Sequence, residues 1–363
     1  MSGHVRSDKK TLFGAAINPP VFFGSLIVLL SLISTTIIIG EPVEDLFRRV
    51  QANISDAAGW FFILLANLLM FFLIYLAFSK FGKIKLGGAE AKPDFSRISW
   101  FSMLFSAGLG IGLLFYGVAE PIYHFNDNPF VDNTDAIAAA KSAMGITFYH
   151  YGIQAWSIYA TVGLALAFFT FNLKLPLTIR SIFYPLLGDK IYGRWGDLID
   201  IISVIATVVG LATSLGLGAQ QVNAGLEYLF GIGYSREAQI VIIAVITALA
   251  TFSLLAGLDK GIRRLSEVNM GLAMVLLVFV LATGPTAFLM DSFVQNLGYY
   301  IDNFFKIGLW TESFVGVKDD SNWQNMWTVF YYAWWIAWSP FVGIFIARVS
   351  KGRTITEFIL GVV

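Results

Sequence analysis

The sequence predicts an all-α integral membrane protein, and three observations support this fold class. Hydrophobic residues make up 57% of the 363 residues and charged residues only 13%, whereas about a quarter of a soluble domain is charged. Apolar stretches that can cross roughly 30 Å of hydrocarbon recur between short polar connectors. Lysine and arginine concentrate in alternate connectors, as in membrane proteins of fixed orientation. These patterns exclude an ordinary soluble enzyme.

Eight transmembrane helices are predicted, each as an apolar stretch bounded by polar residues, glycine or proline. They cover residues 20–39, 58–79, 98–118, 143–170, 198–220, 238–256, 268–290 and 325–347. The first follows a polar segment and precedes no small-residue cleavage site, so we expect a retained helix. The acidic residues are expected in connectors or at the ends of these spans.

The basic residues predict which connectors face the cytoplasm. Of 24 lysines and arginines, 18 lie in the N-terminal tail, in the connectors 80–97, 171–196 and 257–267, and after residue 347. Because cytoplasmic connectors carry this excess, we expect both ends of the chain on the cytoplasmic side of the cell membrane. In a prokaryote this is the inner membrane.

Charge and cysteine content exclude several other classes. The 24 basic and 24 acidic residues cancel, so no nucleic-acid partner is expected. The sequence contains no cysteine, which removes disulfides and thiolate chemistry, and its three histidines make a metal centre an unfavoured interpretation.

The connector 291–307 is predicted to be an amphipathic helix on the outer membrane surface. Its apolar residues recur at helical spacing, and its polar residues occupy the other face. The apolar set is Phe293, Val294, Leu297, Tyr300, Ile301, Phe304 and Phe305. Such a helix either covers the helix bundle or contacts another protomer, and the sequence favours neither.

Three glycines, Gly108, Gly110 and Gly112, interrupt the third span within the segment 106–112. Each costs about 1 kcal/mol relative to alanine in an exposed helix. Small residues would allow close helix packing. Alternatively, an unwound segment would free carbonyl and amide groups to bind an ion or a substrate. Both interpretations stay open on spacing alone.

Aromatic side chains cluster in the fourth and eighth spans. Trp156 and Tyr159 share a helix face, and Trp334, Trp335 and Trp338 lie well inside span 8. Because tryptophans of the interfacial belt sit at span ends, this depth indicates a binding site. Such rings attract a quaternary ammonium by cation–π interaction, about 2 kcal/mol or more per desolvated ring. With no carboxylate nearby, they suit a betaine-like zwitterion.

Hydroxyl side chains in the fifth span, at Thr207, Thr213 and Ser214, fit two roles equally well. They can bond neighbouring helices together. They can also join carbonyl oxygens as ligands of a hard cation such as sodium.

Three motifs resemble the betaine/choline/carnitine transporter (BCCT) family of secondary carriers. They are GLGIG with FYGVAEP at 108–121, LDKGIRRLS at 258–266 and WWIAWSPF at 334–341. The motifs occur in the family's order, and the resemblance covers nearly the whole chain.

This resemblance implies a twelve-helix fold, in which two leading helices precede a pair of inverted five-helix repeats, assembled as a homotrimer. The chain, 1–363, would be one transporter domain with a tail at 1–19, two leading helices and a loop at 20–97, the first repeat at 98–290, the interfacial helix at 291–307 and an incomplete second repeat at 323–363. We therefore expect a chain truncated after its eighth helix.

The resemblance also implies the site residues. The predicted substrate site comprises Gly108, Leu109, Gly110, Gly112, Tyr151, Trp156, Tyr159, Ser214, Phe330, Trp334, Trp335 and Trp338. Sodium would lie near Ser106 and Leu109 and, at a second position, near Thr207 and Phe341. Leu211 stands where the second threonine of one sodium site is expected.

The implied function is secondary active import of a betaine-like zwitterion or quaternary ammonium solute, glycine betaine foremost, across the lipid bilayer. Alternating access would be coupled to sodium, with no other cofactor. The glycine segment has no acidic residue, which favours a zwitterion with sodium. The alternatives are a sodium-independent exchanger, motivated by Leu211, and a proton-coupled carrier of carnitine or choline. A membrane-embedded enzyme would depend on His150 alone and is not expected.

Overall fold

The computed structural model describes residues 10–12, 15–108, 110–255, 257, 261–314 and 322–363. The helices are α1 (Pro19–Ile39), α2 (Glu41–Phe78), α3 (Arg97–Gly108), α4 (Gly117–Asn126), α5 (Ala136–Tyr151), α6 (Ile153–Ala167), α7 (Tyr184–Leu187), α8 (Arg194–Phe230), α9 (Arg236–Leu255), α10 (Arg263–Thr283), α11 (Thr286–Asp302), α12 (Phe304–Gly308), α13 (Phe330–Val349) and α14 (Ile355–Val362). Short 3₁₀ or π-helical turns occur at Lys80–Lys83, Gly112–Tyr116, Phe168–Asn172, Ile179–Phe183, Gly188–Tyr192, Glu312–Phe314 and Asn325–Val329. The prediction of a helical membrane protein is confirmed.

Seven helical segments are long and apolar enough to cross a membrane. They are Pro19–Ile39, Glu41–Phe78, Ala136–Asn172, Arg194–Phe230, Arg236–Leu255, Arg263–Thr283 and Asn325–Val349. An eighth span results if the bent pair Arg97–Gly108 and Gly112–Asn126 counts as one. Each predicted span overlaps one of these segments, so the expected eight agree with the structure when the bent pair is counted once.

Several predicted boundaries are wrong, because polar residues at a span end can continue the helix beyond the apolar stretch. α2 begins at Glu41 and not at residue 58. α8 continues past residue 220 to Phe230, where Gly231 ends it with a φ of 70°. The third segment continues past residue 118 to Asn126, which places Glu120 inside a helix and not in a connector.

Two short paired strands precede the first helix. Strands β1 (Lys10–Leu12) and β2 (Ala15–Ile17) pair antiparallel, with Lys10 opposite Ile17. The pairing satisfies the backbone groups of a segment that precedes α1, whose first turn contains proline.

The predicted surface helix is displaced along the chain. α11 begins at Thr286 and not at residue 291, and it ends at Asp302, after which α12 follows. The seventh span accordingly ends at Thr283 and not at residue 290. Pro285 lacks the amide hydrogen that would continue α10, and the Thr286 hydroxyl donates instead to the Leu281 carbonyl at 2.5 Å.

The most extensive helix packing joins α6 and α13, and small residues allow it. A Cβ atom added at Gly163 would lie 3.2 Å from the Phe358 ring, and one at Gly343 would lie 2.7 Å from Val162. Membrane helices pack through such small residues because lipid tails are as apolar as leucine. The buried core therefore lies around α6, α13 and α14, whereas α9 and α10 bury almost no span residues within the described chain.

Three connectors rich in lysine and arginine meet at one end of the bundle. Lys85 forms a β-bridge with Thr354, and the Asn172 side chain donates to the Lys85 carbonyl at 2.9 Å. Arg97 pairs with Glu357 at 3.1 Å across the same end. Three of the segments in which basic residues accumulate thus share one side, which is the arrangement that the charge pattern predicts.

Arg180 fixes the connector that precedes α8 against that helix. Its buried guanidinium donates to Asp200 at 2.6 Å, to Asp197 at 2.9 Å and to the Ile191 carbonyl at 3.2 Å. The positive charge is therefore paired and hydrogen-bonded, as a buried ion requires.

Candidate functional site

The glycine segment is a break in the third span. α3 ends at Gly108, the backbone bends at Gly110, and a π-helical turn starts at Gly112. The two helical halves meet at 67°. The break favours an unwound segment over a continuous packed helix. Leu109, which we predict in both the substrate and the sodium sites, lies outside the described residues.

A cavity of about 330 Å³ lies beside this break. Its lining is Phe105, Ala107, Gly108, Gly110, Ile111, Gly112, Leu113, Tyr151, Trp156, Tyr159, Ser214, Tyr331, Trp334, Trp335 and Trp338. No Asp, Glu, Lys, Arg or His belongs to this set of described residues. A charged ligand would thus meet aromatic faces, the hydroxyls of three tyrosines and one serine, aliphatic side chains and backbone groups.

The cavity brings together most of the predicted substrate residues. Those that line it are Gly108, Gly110, Gly112, Tyr151, Trp156, Tyr159, Ser214, Trp334, Trp335 and Trp338. Phe330 is not among these lining residues. Its ring packs on that of Trp334, four residues further along the helix, with centroids 5.8 Å apart. Sequence reasoning missed Tyr331, although Tyr331 precedes Trp335 by four residues and so shares its helix face.

One wall of the cavity is an aromatic wall of Trp156, Tyr159 and Trp335. Ring centroids lie 5.5 Å apart between Trp156 and Trp335, 4.5 Å between Tyr159 and Trp335, and 5.8 Å between Trp156 and Tyr159. The interplanar angles of 66°, 47° and 88° are those of edge-to-face and tilted packing. The wall therefore presents both ring faces and ring edges.

The other two tryptophans lie on different walls. Trp334 packs against Tyr116 at 6.2 Å between centroids, on the side of the π-helical turn. Trp338 faces α8, where a Cβ atom added at Gly210 would lie 2.5 Å from the indole nitrogen. That buried nitrogen has no hydrogen-bond partner among the described residues. Three walls of the cavity thus carry indole rings.

The break and the aromatic wall are in direct contact. A Cβ atom added at Gly108 would lie 2.4 Å from the Trp156 ring, whereas one added at Gly110 would meet nothing within 4 Å. Position 108 therefore has to be glycine for the ring to lie where it does. On the opposite side, the Tyr151 hydroxyl donates to the Gly112 carbonyl at 3.0 Å.

α13 contains a proline, Pro340, two residues after the cavity-lining Trp338. Pro340 cannot donate to the Ile336 carbonyl, and the Ser339 hydroxyl donates to it at 2.7 Å instead. Replacement of a lost backbone bond by a neighbouring hydroxyl is how proline is accommodated in membrane helices.

The predicted sodium residues fall in two separate places. Ser106 lies in α3 just before the break, and its hydroxyl donates to the Ser266 carbonyl at 3.3 Å. Thr207 and Phe341 line a second cavity of about 650 Å³, between α1, α8, α13 and the connector before α8. Leu211 is not part of its lining. The two predicted sodium positions are thus distinct, and the predicted residues of each include one side-chain hydroxyl, that of Ser106 or Thr207.

Comparison with known sequences identifies the family. The profile of the BCCT family, the betaine/carnitine/choline family transporters, matches residues 20–363. The chain belongs to the BCCT family. The resemblance carried by the three motifs is thereby confirmed. The family's members are transporters and not enzymes, and the prediction that this chain is not a membrane-embedded enzyme is confirmed as well.

Several curated BCCT relatives are similar over nearly all of this chain. A glycine betaine transporter of Bacillus subtilis is 49% identical over 325 residues, which are 89% of this chain and 62% of the relative. A glycine betaine transporter of Acinetobacter baylyi is 44% identical over 96% of this chain and 52% of its own. A high-affinity choline transport protein of Escherichia coli is 46% identical over 95% of this chain and 50% of its own. The chain spans about half to three-fifths of the length of these relatives.

Proposed function

We propose that this BCCT protein is a secondary transporter that imports a betaine-like zwitterion, with glycine betaine the leading candidate. The observation that carries the proposal is the charge-free aromatic cavity at the helix break. The names of the relatives support betaine or choline as the substrate class. Alternating access would expose this cavity to each side of the membrane in turn.

The two ends of a betaine would meet different parts of the cavity. The quaternary ammonium would lie against the aromatic wall of Trp156, Tyr159 and Trp335, where cation–π attraction replaces water. The carboxylate would lie toward the start of the second helical half at Gly112, where backbone amides carry partial positive charge. An acidic side chain would repel that carboxylate, and the described lining contains none.

Sodium is the proposed coupling ion, held near the break at Ser106 and near Thr207 and Phe341. Hydroxyl and carbonyl oxygens are ligands that a hard cation prefers. A sodium-independent exchanger is the second candidate. It is favoured by Leu211, which removes a hydroxyl from the second position, and by the separate cavity that holds Thr207 and Phe341. A proton-coupled carrier of carnitine or choline is a further alternative.

The proposed setting is the cell membrane of a bacterium, with the N-terminus in the cytoplasm and three copies per assembly. The basic connectors that meet at one end of the bundle support the orientation. Exposed apolar residues of α11, among them Phe293, Val294, Leu297 and Ile301, offer a surface for another protomer.

Binding of glycine betaine to the purified full-length protein tests the proposal. We expect tryptophan fluorescence to change with betaine in sodium and to change much less in potassium. Trp335→Leu should raise the Kd about thirtyfold, since losing one desolvated ring costs about 2 kcal/mol. Trp60→Leu is the matched control, because Trp60 is 58% exposed on α2 and lies outside the cavity lining.

The outcomes separate the candidates. Equal affinity for glycine betaine in sodium and in potassium would contradict sodium coupling and favour the exchanger. Counterflow of betaine in proteoliposomes without an ion gradient would then test the exchanger. An unchanged Kd in Trp335→Leu would show that the cavity is not the betaine site.

A further inference from the structure

A buried cluster of three ionisable side chains lies beside the substrate cavity and outside its lining. One carboxylate oxygen of Glu120 in α4, Oε1, is hydrogen-bonded to two imidazoles. That oxygen lies 3.0 Å from Nε2 of His124 and 2.5 Å from Nδ1 of His150. All three side chains have no exposed surface. We name these residues the Glu120 cluster.

The charge of the Glu120 cluster has to be balanced from within. No Lys or Arg among the described residues forms an ion pair with Glu120. With both imidazoles neutral, an ionised Glu120 would leave a buried negative charge without compensation, which is strongly unfavourable. One additional proton on one of the two imidazoles makes the cluster neutral overall. The resulting imidazolium donates a charge-assisted hydrogen bond to Glu120, and the neutral imidazole donates a second hydrogen bond to the same carboxylate.

Among the residues that the structure describes, the surroundings supply no other counter-charge. The remaining titratable side chains near the cluster are Tyr116, Tyr123 and Asp127 on the side of α4, Tyr149 and Tyr151 on α5, and Tyr331 and Tyr332 on α13. These are phenols and one carboxylate, none of which brings a positive charge. Nε2 of His150 completes the ring of contacts at 3.0 Å from the Thr328 hydroxyl.

The cluster joins the broken span to the helices that carry the cavity. Glu120 and His124 lie on α4, directly after the π-helical turn, while His150 is near the end of α5 and Thr328 precedes α13. His150 stacks on Tyr331, with ring centroids 4.8 Å apart and planes at 12°. Tyr331 lines the cavity, and its hydroxyl lies 3.3 Å from that of Tyr151, which bonds the Gly112 carbonyl.

We propose that the Glu120 cluster is a proton-binding site that holds the second half of the broken span against α5 and the start of α13. Removal of the proton leaves a buried charge that only water can relieve. α4 then separates from His150 and Thr328, and the Gly112 side of the cavity loses its position. Glu120 and His150 are thus positioning residues for the cavity.

The proposal has a consequence for transport that rests on the proposed function. If a betaine binds the cavity while α4 is held against His150 and Thr328, betaine binding and protonation of the cluster favour the same conformation. Protonation then raises the affinity for betaine, and bound betaine raises the affinity for the proton. Above the pH at which the free protein loses this proton, the Kd for glycine betaine should rise by about tenfold per pH unit. The betaine carboxylate stays ionised throughout and contributes nothing to this dependence.

The first experiment needs no substrate. Trp323 and Trp327 pack on the His124 ring at 5.1 and 4.5 Å between centroids, and a protonated imidazole quenches indole fluorescence. We expect the fluorescence of the purified full-length protein to show one titration step between pH 5 and 10. Glu120→Gln, a neutral side chain of the same shape, should abolish that step. Glu44→Gln, an exposed carboxylate paired with Arg48, should retain it.

The second experiment measures the link to betaine in the wild-type protein. Calorimetric binding heats in phosphate and in Tris, which differ in ionisation enthalpy, should reveal uptake of up to one proton per betaine at a pH above the fluorescence step. This measurement needs no variant, so a folding failure of Glu120→Gln would not weaken it.

Each outcome decides one proposal. A flat fluorescence profile from pH 5 to 10 would overturn the proton site, and so would a step that moves on adding EDTA, which would place a metal ion there. A step without any betaine binding at any pH would retain the proton site and remove the proposed function. Betaine binding with equal heats in both buffers would remove the link between them.

Discussion

At the scale of single residues, the cavity depends on where side chains are missing as much as on where rings are present. Gly108 leaves the space that the Trp156 ring occupies, and Gly210 leaves the space for the indole of Trp338. Gly110 has no such neighbour. Gly108 and Gly110 of the break therefore differ in their surroundings, although the sequence presents them as equivalent.

Gly108→Ala tests this difference against Gly110→Ala. The added methyl group at position 108 would overlap the Trp156 ring, and overpacking of this kind costs about 1–3 kcal/mol. We expect the ring to move from the aromatic wall and the Kd for glycine betaine to rise about five- to hundredfold. Gly110→Ala should alter the Kd far less.

Titration calorimetry on the two variants provides the measurement, with unfolding midpoints recorded for both. Equal betaine affinities in Gly108→Ala and Gly110→Ala would contradict the contact between the break and the aromatic wall.

At the scale of secondary structure elements, polar side chains determine how connectors attach to helices. Arg180 reaches two carboxylates near the start of α8, and Asn67 of α2 donates to the Gly308 carbonyl of α12 at 2.8 Å. The Arg180 contacts span 17 and 20 residues of the sequence, and the Asn67 contact spans 241. Each replaces water at a position where the apolar surroundings supply no partner.

Arg180→Gln should lower stability strongly. Asp200 would remain largely buried without its charged partner, and breaking a buried ion pair costs about 3–5 kcal/mol. Arg48→Gln is the control, because the Arg48–Glu44 pair has exposed fractions of 71% and 60% and solvent screens such surface pairs.

Thermal unfolding followed by tryptophan fluorescence would compare these two variants with the wild type. Midpoints that fall by the same amount in both would mean that the Arg180 network contributes no more than a surface pair.

At the scale of the whole molecule, the connectors separate into two sides that the membrane would divide. The basic connectors meet at one end through the Lys85–Thr354 bridge and the Arg97–Glu357 pair. At the other end, Phe130 packs on Trp310 with centroids 4.8 Å apart. Because orientation follows basic residues, the first end should face the cytoplasm.

Single cysteine variants can test that orientation without background labelling, since the sequence contains no cysteine. Asn126→Cys, at the exposed end of α4, should react with a membrane-impermeant maleimide in intact cells. Lys92→Cys, exposed in the connector after α2, should react only after the cells are permeabilised. The reverse pattern would invert the topology.

Much of the fold could be predicted because a membrane imposes a length on each apolar stretch. The eight overlapping spans and the depth of the span 8 tryptophans depend on local spacing. The spacing of Gly108, Gly110 and Gly112 left close packing and a break both open, and the structure shows the break. The helix boundaries at Glu41, Phe230 and Thr286 could not be read in this way, because polar turns and a proline set them.

The sequence by itself determined the membrane class, the family through its three motifs, and most residues of the cavity lining. Only the tertiary structure decided which rings form the aromatic wall, that Phe330 lies outside the cavity lining, and that Tyr331 belongs to it. It also brought Glu120 to His150, which lies 30 residues away, and His150 to Thr328, a further 178 residues along. Periodicity describes one helix at a time, whereas these contacts depend on how helices pack against one another.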